Sequence, residues 1–173
     1  MYLESQSFRH VWYIIGPTTL ICLGFMGFVG YGLYKQLYLG ETFGTKAMSN
    51  GALIATFVFS TIVLAAVWVV LFFNEMQVEV SSSGIRYRFV PFLNSYKSIP
   101  IEDIEHYEVG EYNPIMEFGG WGIRFVINKK AFSISGSQAL KITLKNGKKI
   151  YFGTTKPMEM QEAVRKYFRN RNP

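Results

Sequence analysis

Two long stretches without a charged side chain constrain this chain more than any other feature of its sequence. The first covers residues 11–34 and the second covers residues 52–73. At about 1.5 Å of rise per residue, a helix of either length exceeds the roughly 30 Å hydrocarbon core of a bilayer. Both stretches are therefore predicted to be membrane-spanning helices.

The charged residues divide the chain into two unlike parts. Residues 1–73 carry five of the thirty Asp, Glu, Lys and Arg side chains, and residues 74–173 carry the other twenty-five. We therefore expect a membrane hairpin over residues 1–73 and a soluble domain over residues 74–173. This division excludes an ordinary cytosolic globule and a disordered chain, and a single cysteine excludes a disulfide scaffold.

A cleaved signal peptide is the alternative interpretation of the first stretch, because Arg9 resembles the basic start of such a peptide. The apolar run is longer than the about 7–15 residues typical of a signal peptide, and no small-residue cleavage motif closes it. A retained span is therefore favoured.

The short connection between the spans places both termini on one side of the membrane. The connection carries Lys35 and Lys46. The side of the termini offers Arg9 near the first span and Arg86 and Arg88 shortly after the second, so the basic residues near the spans discriminate weakly. Residues 74–173 carry fifteen Lys/Arg against ten Asp/Glu, a balance that favours the anionic cytoplasmic leaflet. We expect a multi-pass protein of the inner (cytoplasmic) membrane with both termini in the cytoplasm.

Neither span contains Asp, Glu, Lys, Arg or His. A transporter or channel is disfavoured for that reason, since transport usually leaves ionisable residues inside the membrane. Gly24, Gly27 and Gly30 recur every three residues and would let another backbone approach closely. That backbone could belong to the second span or to a neighbouring chain.

After Met76 the hydrophobic pattern changes to the period of two that is typical of β-strands. Seven or eight antiparallel strands are expected, near residues 78–80, 85–89, 96–99, 104–109, 123–127, 131–134, 140–145 and 148–152. Residues 81–84 and the glycines of residues 119–122 are expected to be turns, and residues 111–118 a loop. Asn146-Gly147 predicts a type I′ turn between the last two strands.

The chain ends with a helical pattern that begins at Lys156-Pro157. One face of this helix carries Met160, Ala163, Val164, Tyr167 and Phe168. The helix is expected to cover the apolar face of the sheet. Six residues are predicted to be buried between sheet and helix: Ile142, Leu144, Ile150, Phe152, Val164 and Phe168.

A two-span hairpin followed by such a domain resembles the membrane-anchored bacterial PH-like (pleckstrin-homology-like) domain proteins. The matching stretches are Gly120-Trp121-Gly122-Ile123-Arg124, residues 133–136, residues 145–148, Gly153 and Lys156-Pro157. The resemblance covers essentially the whole chain. It implies a hairpin of two transmembrane α-helices followed by a mainly antiparallel β PH-like barrel or sandwich with a C-terminal α-helix, and it implies little about chemistry.

Phosphoinositide-binding PH domains typically place a lysine on the first strand and a basic-x-basic pair on the second. Arg86 and Arg88 are similar to that pair, but Gln77, Val78 and Glu79 occupy the preceding strand. A phosphate clamp needs several convergent donors, so specific headgroup recognition is not expected. Contact with anionic lipid stays open through Arg86, Arg88 and the lysines of two hairpin tips, which are Lys129, Lys130, Lys148 and Lys149.

No pattern indicates catalysis, a cofactor or a metal. Two histidines and the single Cys22 cannot complete a metal quartet. The glycines of residues 119–122 lack the strand-loop-helix frame of a phosphate loop. The acidic group of Glu102, Asp103, Glu105 and Glu108 is expected to be a solvated edge of the sheet and not a pair of catalytic carboxylates.

Three functions remain open. The leading one is a non-enzymatic membrane protein that presents its PH-like domain at the cytoplasmic face for protein binding or oligomerisation. The second is a peripheral reader of anionic lipid headgroups, and a distant third is an enzyme with an unrecognised site. Nucleic acid is not expected as a partner, because basic hairpin tips are more often solvated turns.

Overall fold

The computed structural model describes residues 1–44 and 48–169, so that Lys46 of the connection lies outside the described residues. The chain forms two compact units, Arg9–Phe72 and a second unit that joins Met1–Phe8 to the chain from Phe73 onward. The helices are α1 (Trp12–Leu33), α2 (Asn50–Phe73), α3 (Pro114–Phe118) and α4 (Pro157–Phe168). The strands are β1 (Tyr2–Ser7), β2 (Glu75–Ser81), β3 (Gly84–Val90), β4 (Leu93–Pro100), β5 (Ile104–Glu111), β6 (Gly122–Val126), β7 (Lys129–Ser133), β8 (Gln138–Leu144) and β9 (Lys149–Gly153).

The unit of residues 9–72 consists of two apolar helices. α1 continues into a π-helical turn at Tyr34–Tyr38, and α2 starts two residues earlier than its sequence pattern predicts. Both helices are long and apolar enough to cross a membrane, and 11% of the most apolar stretch of each is buried. The predicted spans are therefore present as helices of membrane length.

The predicted glycine stripe of α1 meets α2 at one of its three positions. A Cβ atom added to Gly30 would lie 3.8 Å from the Phe57 ring, whereas nothing lies within 4 Å of such an atom at Gly24 or Gly27. Close approach of the two helices therefore involves Gly30.

β1 is an element that the sequence patterns do not predict. It precedes α1 and pairs antiparallel with β2, which follows α2, so that Ser7 lies opposite Glu75. The sequence-based division places this segment with the membrane hairpin, whereas the structure groups it with the sheets. The hydrophobic pattern does not predict β1 because the strand turns polar side chains inward: Glu4 is 4% exposed and Gln6 is 7% exposed.

The first sheet has the strand order β1-β2-β3-β4 and is antiparallel throughout. The predicted turn at residues 81–84 is confirmed, and Gly84 has a φ of 130°. A Cβ atom at Gly84 would lie 2.1 Å from the Ile99 carbonyl oxygen, so only glycine fits between β3 and β4 at this position.

The second sheet has the order β5-β8-β9-β7-β6. β7 and β9 run parallel, which makes this sheet mixed. Among the described residues the two sheets stay separate, so the alternative of a closed barrel is wrong. The β6–β7 hairpin follows β5 in the chain yet joins the sheet beyond β9, and it leaves β6 as an edge strand.

The core lies between the two sheets and under α4. The Tyr87 ring of the first sheet lies 4.9 Å from the rings of Phe132 and Phe152 in the second. From α4, Met160 and Phe168 are fully buried. Of the six predicted core residues only Leu144 is wrong, because it is the last residue of β8 and is half-buried at the turn.

Residues 114–118 form α3, so the prediction of a loop over residues 111–118 is wrong. The Asn113 side chain accepts hydrogen bonds from the amides of Ile115 and Met116, at 3.2 and 3.0 Å. Glu117 accepts one in return from the Asn113 amide at 2.8 Å. This reciprocal capping, in which the glutamate lies one residue beyond the N3 position of a capping box, starts a helix as short as one turn.

The turn between β8 and β9 differs from the predicted type I′ turn, which needs a positive φ at both central residues. Here Gly147 has a φ of 77° and Asn146 does not have a positive φ. The Gly147 amide donates to the Leu144 carbonyl at 2.8 Å. A turn followed by a left-handed glycine explains this pattern.

Candidate functional site

The two arginines expected to contact anionic lipid lie on the outer face of the first sheet. Arg86 Nη1 lies 3.5 Å from Glu79 Oε2, and Arg88 Nε donates to Gln77 Oε1 at 2.9 Å. Both guanidinium carbons lie 4.9 Å from the centroid of the Tyr96 ring. The neighbouring strands therefore already supply partners for both arginines.

These contacts limit what the arginine pair can bind. Glu79 is 9% exposed, and its buried carboxylate offsets the charge of Arg86. The position on β2 opposite Arg88 is held by Gln77, an uncharged amide. A phosphate group at this face would have to compete with Glu79 for Arg86, so the pair is not a free clamp.

The four lysines expected at the hairpin tips belong to one cluster. Because β7 and β9 are parallel, Lys129 lies opposite Lys149 and Lys130 lies opposite Ile150. The Lys149 amide donates to the Asn128 carbonyl at 2.9 Å and ties the two tips together. We define the lysine cluster as the four residues Lys129, Lys130, Lys148 and Lys149.

The sequence around the lysine cluster is free of acidic residues. Residues 118–158 contain eight Lys/Arg and no Asp or Glu. Three members of the cluster are exposed and Lys129 is half-buried. On the neighbouring strands, Glu108 of β5 pairs with Lys141 of β8 at 3.7 Å, and Lys141 is not a member of the cluster. The cluster is therefore a positive patch without a nearby neutralising side chain in its own strands.

An apolar turn lies beside the lysine cluster. The expected strand over residues 123–127 ends at Val126, and the turn is formed by Ile127 and Asn128, which has a φ of 58°. Phe125, Val126 and Ile127 are 67%, 44% and 87% exposed. We define these three residues as the apolar tip.

Sequence reasoning missed the apolar tip because Phe125 and Ile127 fit the alternation of a strand. The available signal was Val126, an apolar residue at the position where alternation requires a polar one. In the structure Lys130 Nζ lies 5.5 Å from the centroid of the Phe125 ring. The apolar tip and the lysine cluster are therefore in direct contact.

A buried carboxylate holds β1 to the end of β9. Glu4 Oε2 accepts from Thr154 Oγ1 at 2.7 Å, and Glu4 Oε1 accepts from the Thr155 amide at 2.9 Å and from Gln6 Nε2 at 2.8 Å. The Tyr2 hydroxyl also donates to Glu4, at 3.1 Å. Burial, followed by the charge of Glu4, raises the pKa of Tyr2 well above its usual range. Glu4 is a structural anchor whose two oxygens are both occupied.

The acidic group and the possible metal ligands show no shared site. Glu108 pairs with Lys141 at 3.7 Å, and Glu102 and Asp103 lie in a 3₁₀ turn before β5. Within residues 1–44 and 48–169, no group of three His, Cys, Asp or Glu side chains could hold a metal ion.

Comparison of the chain with protein-family models, with curated proteins and with solved structures finds no match.

Proposed function

We propose that this chain is a non-enzymatic integral membrane protein of the bacterial inner membrane. In this proposal α1 and α2 cross the membrane as a hairpin, and the sheet unit is a PH-like domain at the cytoplasmic face. The domain binds a protein partner or a second copy of the chain. The chain contains two helices of membrane length and a separately compact sheet unit, and both observations support this proposal.

The pairing of β1 with β2 is the observation that carries the proposal. The chain leaves the sheet unit after Ser7 and returns to it at Glu75, and these two residues lie opposite each other in one ladder. Adjacent strands are only about 4.8 Å apart, so both ends of an inserted hairpin must emerge on one side of the membrane. This supports a two-span topology with the termini together.

Exposed apolar side chains on α3 support protein binding. Ile115 is 60% exposed and Met116 is 82% exposed on a helix whose other face buries Phe118. Large exposed apolar side chains that lie together are typical of interaction surfaces.

Reporter fusions test the topology. A fluorescent protein that matures in the cytoplasm should be bright when fused to the C-terminus, and a reporter that is active only in the periplasm should be inactive there. A fusion within the connection after Tyr38 is the matched control and should give the opposite result. A dark C-terminal fusion with an active periplasmic reporter would reverse the orientation.

Cross-linking of the full chain in membranes tests the interaction. Wild type should give a cross-linked homo-oligomer or a complex with a partner, and Ile115→Ser with Met116→Ser should lose most of it. The matched control is Met158→Ser, because Met158 is 79% exposed on α4. Monomeric chain in every sample would contradict the proposal.

A reader of anionic lipid headgroups is the alternative proposal. The contacts of Arg86 and Arg88 with Glu79 and Gln77 give it little support at that face. The lysine cluster favours it, because parallel pairing of β7 and β9 joins two basic tips that are distant in sequence.

A further inference from the structure

We propose that the β6–β7 tip docks into the interface of an anionic bilayer. In this inference the apolar tip enters the headgroup region and the lysine cluster binds lipid phosphates. It rests on the proposed membrane tether and deepens the lipid alternative. The bilayer is named as the occupant because the tip combines positive charge with exposed apolar side chains.

The apolar tip is exposed to solvent. Three consecutive residues of the tip are 67%, 44% and 87% exposed, whereas Ala131 and Phe132, further along β7, are 1% and 3% exposed. A run of three exposed apolar residues lowers solubility unless another surface covers it. Phe, Val and Ile at a loop tip have the apolar character that favours the membrane interface.

Two lysines of the cluster lie directly opposite residues of the apolar tip. Val126 lies opposite Lys129 and Phe125 lies opposite Lys130 in the β6–β7 ladder, so each face of the hairpin carries an apolar residue and a lysine. The Lys130 ammonium group lies 5.5 Å from the Phe125 ring centroid. Long lysine side chains can keep their charge at the phosphates while their stems follow apolar groups into the interface.

The charge of the lysine cluster is complementary to that of an anionic bilayer. The lysine cluster lies within a stretch, residues 118–158, that carries eight basic side chains and no acidic one. Each lysine near an anionic leaflet strengthens binding by about fivefold, and salt screens this effect. A nucleic acid would use the same charge but would leave the apolar tip in water.

The apolar tip and the apolar helices belong to one chain. The same chain contains two helices of membrane length. A tethered domain meets the bilayer at a high effective concentration, so a modest affinity of the tip is enough for docking. The tip therefore sets the posture of the domain on the membrane, while the helices hold it there.

Depth-dependent quenching on the full chain tests this inference. Cys22 is replaced by Ala, and single cysteines are introduced as Ile127→Cys, Met158→Cys and Ile62→Cys for a polarity-sensitive fluorophore. The chain is reconstituted in nanodiscs of phosphatidylcholine alone or with phosphatidylglycerol, each containing nitroxide-labelled lipid. Ile62 is 62% exposed on α2 and reports whether the helix lies in the bilayer.

The label at Ile127 should be quenched several-fold more strongly with phosphatidylglycerol present than in phosphatidylcholine alone, and the label at Met158 should not. Gln at all four positions of the lysine cluster should remove the difference. Gln at Lys97, Lys156, Arg165 and Lys166 removes equal charge elsewhere and should leave it intact. A quenched Ile62 label with an unquenched Ile127 label would overturn the docking of the tip and would leave the membrane tether in place. An unquenched Ile62 label would overturn the membrane tether itself.

Discussion

The two units of this molecule place the same kinds of side chain in opposite surroundings. In the helical unit Leu20, Ile21 and Phe59 are 74%, 73% and 69% exposed. In the sheet unit Phe152 and Phe168 are 0% and 1% exposed. These apolar side chains thus point outward in the helical unit and inward in the sheet unit.

The difference shows where each unit obtains its stability. Burial of a large apolar side chain contributes about 1.5–3 kcal/mol, and the sheet unit gains this within itself. The helical unit buries few of its side chains, while its backbone hydrogen bonds are satisfied within each helix. In the proposed membrane topology, this unit depends on the apolar surroundings of the bilayer.

Charges on the exposed face of α2 should have the largest effect. Phe59→Arg with Ile62→Arg places two cations near the middle of the helix, at a cost of about 5–7 kcal/mol if the helix lies in a bilayer. The fraction of chain that resists alkaline extraction from membranes should fall sharply. Met158→Arg, on an exposed site of the sheet unit, is the control and should leave that fraction unchanged. Equal extraction of both variants would contradict a membrane-dependent helical unit.

A core truncation should produce the next largest effect, confined to the sheet unit. Phe168→Ala should lower the free energy of unfolding by about 3–5 kcal/mol, because the ring is buried against Tyr107 and leaves a cavity. Urea unfolding of the full chain in mild detergent measures the change. Met158→Ala on the same helix should change it by less than about 0.5 kcal/mol. Equal values for the two variants would mean that α4 does not dock as described.

The anchor of β1 lies within the sheet unit, and its loss should have a smaller effect. Glu4→Ala leaves the Thr154 hydroxyl and the Thr155 amide without their acceptor, at a cost of about 1–3 kcal/mol. Protease digestion should then cut residues 1–8 faster while the rest of the sheet unit stays protected. Leu3→Ala is the control, because Leu3 is 50% exposed. An unchanged cleavage rate would show that strand pairing alone holds β1.

Much of this contrast could be predicted from the sequence. The helices follow from charge-free length alone, and β8 and β9 follow from alternation around a turn, because each signal is local. Burial of Ile142 and Phe152 was correctly predicted for the same reason. Fold elements that depend on a single local period are therefore recoverable.

The elements that escaped prediction depend on contacts distant in sequence. β1 is held by a buried Glu4 whose partners lie about 150 residues away, so its inward polar residues read as a solvated terminus. The lysine cluster requires the parallel pairing of β7 with β9, which no local pattern encodes. α3 is the exception, because Asn113 and Glu117 are a local capping signal that a loop interpretation of Asn-Pro conceals.

Ionisation of buried tyrosines in the sheet unit should have the smallest effect on stability. Burial raises the pKa of Tyr87 and of Tyr112 above the ordinary value for tyrosine. The folded state therefore favours the neutral phenol, and this contribution is fully present below about pH 10, the pKa of an unfolded tyrosine. It is lost as the pH rises from there through the folded pKa. The free energy of unfolding should accordingly decline above pH ~10, and less steeply for Tyr112→Phe. Urea unfolding at several pH values measures how steeply the free energy of unfolding falls for the wild type and for the variant. As the internal control, the difference in this free energy between the two proteins should not change with pH around neutrality. Identical slopes would mean that the Tyr112 phenol ionises as easily in the fold as in water.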